Sequence, residues 1–133
     1  MRITTILVCL AMLACHGSPT ESVATTLATG TWSKDGTCLI VNETSVALHA
    51  GCGHGQFDRP VTLVNGTFEV DGTYRVEAGP VRIDPPPPAH YSGSIDGSVL
   101  TLKVVPSKDS GAPLPMTFTL HFGDPVMCGP ACV

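Results

Sequence analysis

The chain has 133 residues and a formal net charge of −4, and only 14% of it is charged. Its seven Lys and Arg cluster nowhere, so the electrostatic footprint of a nucleic-acid binder is missing and no nucleic-acid partner is expected. Fourteen Gly and twelve Pro beside abundant Val, Thr and Ser favour short strands and turns, and a chain of this length leaves no room for a second sizeable core.

The first element is Arg2 followed by an apolar run over residues 3–13. The run is shorter than the ~20 residues a bilayer core requires, and its charged start and small-residue end are those of an export signal. Met12-Leu13-Ala14-Cys15 resembles the lipobox of bacterial lipoproteins, with Met12 where that motif usually carries Leu or another branched aliphatic. The resemblance implies cleavage after Ala14, lipidation of Cys15 and anchoring in the bacterial cell envelope. His16 rather than Asp after the cysteine implies, by the same family analogy, the outer membrane. Ordinary secretion with cleavage nearby is the alternative. Residues 16–29 are Ser, Thr, Ala, Gly and Pro without apolar periodicity, a flexible tether with a reach of roughly 20 Å. The expected organisation is a signal peptide at 1–14, the lipidated Cys15 and tether at 15–29, and a single β domain at 30–133.

From Gly30 onward the pattern is strand after strand. Thr31-Trp32 opens it, and 38–41 and 46–49 form a hairpin across Asn42-Glu43-Thr44. Residues 61–64 run into Asn65-Gly66, the strongest two-residue hairpin signal, and return over 67–70, with Asp71-Gly72 as a further turn before 74–76. Phe68, Val70, Tyr74 and Val76 share one parity. Residues 85–88 and 107–115 are Pro-rich and read as extended connections. Strands at 91–95 and 99–105 join through Asp96-Gly97, and the last strand alternates Met116, Phe118, Leu120 and Phe122 against Thr117, Thr119 and His121. Seven to nine antiparallel strands, each burying one face, make an all-β domain: a small up-and-down barrel, with a β-sandwich as the alternative. Gly30-Thr31-Trp32 resembles the Gly-x-Trp start of lipocalin-like and avidin-like barrels. Trp32 is the sole Trp, so no ligand residue follows from that likeness. The whole pattern is also similar to small β-rich bacterial lipoproteins with one cysteine mid-chain and another near the end.

Four cysteines follow Cys15, namely Cys38, Cys52, Cys128 and Cys132, and an exported chain is expected to oxidise them. Of the three connectivities, Cys52 with Cys128 and Cys38 with Cys132 is favoured because it ties the early strands to the C-terminal tail. His49-Ala50-Gly51-Cys52-Gly53-His54 offers two imidazoles and a sulfur for a metal, but the glycines more simply make a turn and Cys52 is expected to be paired. His49 and His54 are then polar turn residues, so no metal and no cofactor is expected. Cys128-Gly129-Pro130-Ala131-Cys132 has one residue too many for a thioredoxin-type motif. No serine sits in a Gly-x-Ser-x-Gly turn, and Asp71 and Asp96 precede Gly, where Asp supports turns. His90 and His121 have no visible partner in the sequence.

These readings converge on a non-enzymatic, membrane-anchored envelope protein that binds another protein or serves a structural role. A calycin-like carrier of a small apolar ligand and an envelope-located inhibitor of a hydrolase are the alternatives.

Overall fold

The structure, a computed structural model, describes residues 25–59, 61–77, 83–112, 114–123 and 128. The signal segment, Cys15, the tether up to residue 24 and Cys132 lie outside the described residues. Eight strands follow one another in chain order: β1 (Gly30–Lys34), β2 (Thr37–Val41), β3 (Ser45–Ala50), β4 (Gly53–Asp58), β5 (Thr67–Val76), β6 (Pro88–Asp96), β7 (Val99–Pro106) and β8 (Met116–Gly123). Each pairs antiparallel with the next, and β8 returns to β1 with Phe122 opposite Trp32, so the sheet closes into an up-and-down barrel without a free edge. The expected barrel is thus the architecture, and the sandwich is not.

Alternation along the strands sends one set of side chains inward. Trp32, Leu39 and Leu48 lie opposite one another across β1, β2 and β3, and the same row continues through Gly55 to Tyr74. Trp32, Leu39, Leu48, Phe57, Phe68, Tyr74, Tyr91, Leu100, Leu102 and Leu120 are each at most 3% exposed. An eight-stranded barrel is just wide enough for side chains to fill it, and burying each of the large apolar ones stabilises by roughly 1.5 to 3 kcal/mol.

The aromatic rings fit because glycines face them. A Cβ on Gly55 would collide with the Tyr91 hydroxyl, one on Gly53 with that of Tyr74, and one on Gly93 with the Phe68 ring. This explains two departures from the sequence expectation. Residues 53–58, read as a turn and its aftermath, form β4, whose glycines make room for rings on β5 and β6. Asp71-Gly72 is no turn: β5 runs straight through it, and a Cβ on Gly72 would strike the Gln56 carbonyl and Phe57.

Asn65-Gly66 does turn the chain, with both residues at positive φ (51° and 73°) and Val64 and Thr67 exchanging backbone hydrogen bonds of 2.9 and 3.0 Å. Residues 61–64 before it are not a strand, because they pair only through isolated bridges, Thr26 with Thr62 and Val64 with Thr67. The end of the expected tether is drawn into this arrangement: Leu27 is fully buried and its amide donates to the Val61 carbonyl at 3.3 Å. Arg59 fastens that segment, donating to Thr29 Oγ1, the Asn42 carbonyl and the Leu27 carbonyl, each at 2.8 Å. Packing therefore begins before Gly30, with Leu27 joining the core cluster. At the opposite end the connection expected to be extended contains a 3₁₀ turn, Lys108–Ser110, with Ser110 and Ala112 buried.

The disulfide pairing differs from the favoured one. Cys38 is bonded to Cys128, with Cα atoms 5.5 Å apart and a sequence separation of 90. Closure of the barrel is the reason. Because β8 lies against β1, the chain leaves β8 two strands from Cys38, a proximity that spacing along the sequence does not reveal. Cys52 is also disulfide-bonded.

Candidate functional site

With the interior occupied by side chains, chemistry falls to the outer face and the loops. Ser33, Cys38, His49, His54 and Arg75 stand opposite one another in register across β1 to β5, which puts them in one outward-facing row. Cys38 is fully buried within this row, beneath its bridge to Cys128.

His49 and His54 are therefore not turn residues. They form a directly opposed cross-strand pair on β3 and β4, joined by the turn at Gly51-Cys52. Their Nδ1 atoms approach to 3.2 Å and the rings meet edge to face. One imidazole must donate and the other accept across that contact. The Nε2 atom of His54 lies 3.4 Å from a carboxylate oxygen of Glu77. The other Glu77 oxygen accepts from Arg75 Nε at 2.9 Å, and Arg75 Nη1 lies 3.8 Å from Asp84. One guanidinium thus sits between two carboxylates, leaving the surroundings of the histidine pair slightly negative. Cys52, the third member of the motif noticed in the sequence, is held in a disulfide and is not a thiolate ligand. Among the described residues no group of three or more His, Cys, Asp and Glu converges as a metal site.

A second cluster lies on β5 and β6. His90 Nδ1 is 2.8 Å from Asp71 Oδ1, and its Nε2 is 3.6 Å from Glu69 Oε1. The hydrogen bond to Asp71 raises the His90 pKa above its ordinary value, outweighing an opposing loss of solvation, and Glu69 adds to the rise. Sequence reasoning left His90 without a partner because it placed Asp71 in a turn. With β5 continuous, Asp71 stands directly opposite His90. His121 points outward on β8 and is exposed, as the alternation of that strand implies.

Beside this cluster, a groove of about 600 Å³ crosses β5, β6 and β7, lined by Glu69, Ser92, Ser94, Thr101 and Lys103 under the rim of Thr62. Its walls mix these polar side chains with the apolar Val64 and Phe68. The two tyrosines, by contrast, are structural. Tyr91 donates to the Thr73 carbonyl at 2.6 Å and Tyr74 to Met116 Sδ at 3.7 Å, and burial pushes both phenols above their ordinary value of 10. Both stay neutral at physiological pH.

No family model matches the chain, and no curated protein or solved structure matches it.

Proposed function

We propose that this chain is a lipoprotein of the bacterial cell envelope, anchored through Cys15, whose barrel is a non-enzymatic binding or structural module that engages its partner through the outer face and loops. The observation that carries this reading is the filled interior. A calycin-like carrier needs an interior space, and here the rings of Phe57, Phe68, Tyr74 and Tyr91 occupy it, with glycines cut to receive them. A closed sheet held by disulfides also suits an oxidising compartment and a partner bound from outside.

The anchor part of the proposal is tested by the intact mass of the protein extracted from membranes. The expected result is a diacylglyceryl-sized addition on Cys15, with thiols at Cys38, Cys52, Cys128 and Cys132 alkylated only after reduction. A Cys15→Ser variant is expected to leave the membrane fraction. A lipid-free mass, or a variant that stays with the membrane, would overturn the anchor. Thermal stabilisation of the barrel by a fatty acid or an apolar dye would overturn the module in favour of a carrier.

A further inference from the structure

We propose that His49 and His54 form a chelate for an exchangeable divalent transition-metal ion, of the Zn²⁺ or Cu²⁺ class, on the outer face of β3 and β4. Two nitrogens bound to one tetrahedral Zn²⁺ at ~2.0 to 2.1 Å are themselves about 3.3 Å apart. The Nδ1 atoms of this pair are 3.2 Å apart with no ion between them. The backbone has therefore already set the donor spacing, through the direct opposition of the two residues in the β3–β4 ladder. An ion would take the place of the proton between the two nitrogens, which moves to Nε2 of the ring that donated it so that both imidazoles stay neutral, and the broad χ2 torsion of histidine lets both lone pairs converge on the ion.

The second observation concerns the far side of the ring. His54 Nε2 lies 3.4 Å from Glu77, so the carboxylate can hold the proton on Nε2 and leave Nδ1 as the basic nitrogen. A carboxylate behind a ligating imidazole is the usual arrangement for fixing tautomer and raising donor strength. Arg75, opposite His54, would repel a cation, but its charge is engaged by Glu77 and Asp84. Imidazole donors select borderline ions such as Zn²⁺ and Cu²⁺ over Mg²⁺ and Ca²⁺, which prefer oxygen. With two protein donors the remaining positions belong to water or to a donor from another molecule, which makes the ion exchangeable and open to a bridging contact. The site does not depend on Cys15 carrying lipid, so it stands or falls separately from the envelope reading.

The test is a titration of the oxidised full chain, with any free thiols blocked, by Zn²⁺ alone. The expected result is one ion per chain, with affinity at least tenfold weaker in His49→Ala and in His54→Ala and unchanged in His121→Ala. Glu77→Gln is expected to weaken binding by about tenfold. Should an alanine variant fail to keep the wild-type near-ultraviolet circular dichroism, electron paramagnetic resonance of Cu²⁺ bound to the wild-type chain decides instead, with coupling to two nitrogens expected. Absence of saturable binding, affinity unchanged by the folded alanine variants, or Cu²⁺ coupled to other than two nitrogens would overturn the proposal.

Discussion

Strands β1 to β4 are five or six residues long, whereas β5 to β8 run eight to ten. Short strands make few ladder hydrogen bonds, each contributing only about 0.5 to 1.5 kcal/mol net. That half carries the Cys38–Cys128 bridge, the second bonded cysteine Cys52 and the Arg59 clamp on residues 27, 29 and 42. The long half relies on its ladders and presents hydroxyls along its outer face. The two halves meet where tyrosines from β5 and β6 settle over glycines of β4. The comparison teaches that a barrel can make up for short strands with links that run across them, while strand register, not the core, brings the chemically reactive side chains together.

The largest expected effect breaks the braced half. Replacing Cys38 and Cys128 together with Ala removes that cross-link, which costs about 2 to 4 kcal/mol, the usual range for one disulfide, while the bridge at Cys52 remains. Urea unfolding should show that loss. Hydrogen exchange should place it unevenly, with β1, β2 and β8 losing protection first and β5 to β7 keeping it. A uniform loss would mean that the two halves unfold as one and that the bridge braces the whole barrel equally. Peptide mapping of the unreduced wild type is expected to recover Cys38 with Cys128, and Cys52 in a disulfide of its own.

A smaller effect is expected at the seam. Gly55→Ala would place a methyl where the Tyr91 hydroxyl lies, with the Tyr91 Cζ at 3.1 Å and the Tyr74 Cδ2 at 3.2 Å also too close. Overpacking of this kind costs about 1 to 3 kcal/mol. Adding Tyr91→Phe should recover only part of the loss, since the ring carbons stay in the way and the Thr73 carbonyl loses its donor. Gly123→Ala, with nothing within 4 Å of its Cβ position, serves as the neutral control. Equal stability of Gly55→Ala and Gly123→Ala would show that the rings adapt and that the glycines of β4 do not set the seam.

Those glycines also mark where the sequence could and could not be read. Alternation made β7 and β8 legible, and Asn65-Gly66 located its turn, because these signals are local. β4 was hidden, since Gly-His-Gly reads as a turn until the tyrosines that need the space are known to lie on neighbouring strands. Asp71-Gly72 misled for the same reason. The candidate site was legible as a list of residues, with His49, Cys52 and His54 standing out together, but not as an arrangement. Whether two histidines five apart flank a turn or oppose each other on a hairpin depends on one strand that the glycines disguised. The pairing of Cys38 with Cys128 was out of reach because it follows from β8 closing onto β1, the contact most distant in sequence.

The smallest expected effect sharpens the comparison on the long half, where an exposed cluster rather than a covalent link joins β5 to β6. The hydrogen bond from Asp71 raises the His90 pKa in the folded chain, whereas in the unfolded chain it returns to about 6.5. The charged His90 therefore favours the folded state in full below about pH 6.5, and this contribution is lost as pH rises through the raised folded value. Asp71→Asn removes the leading cause of the shift and leaves Glu69. Titration of the His90 ring by nuclear magnetic resonance should show its midpoint falling toward the ordinary value, while thermal unfolding loses the small decline that begins just above pH 6.5. The groups are exposed and salt weakens them, so the effect should shrink in high ionic strength, whereas the braced half should not respond. A midpoint unmoved by Asp71→Asn would assign the shift to Glu69, and would leave β5 and β6 joined by their ladder alone.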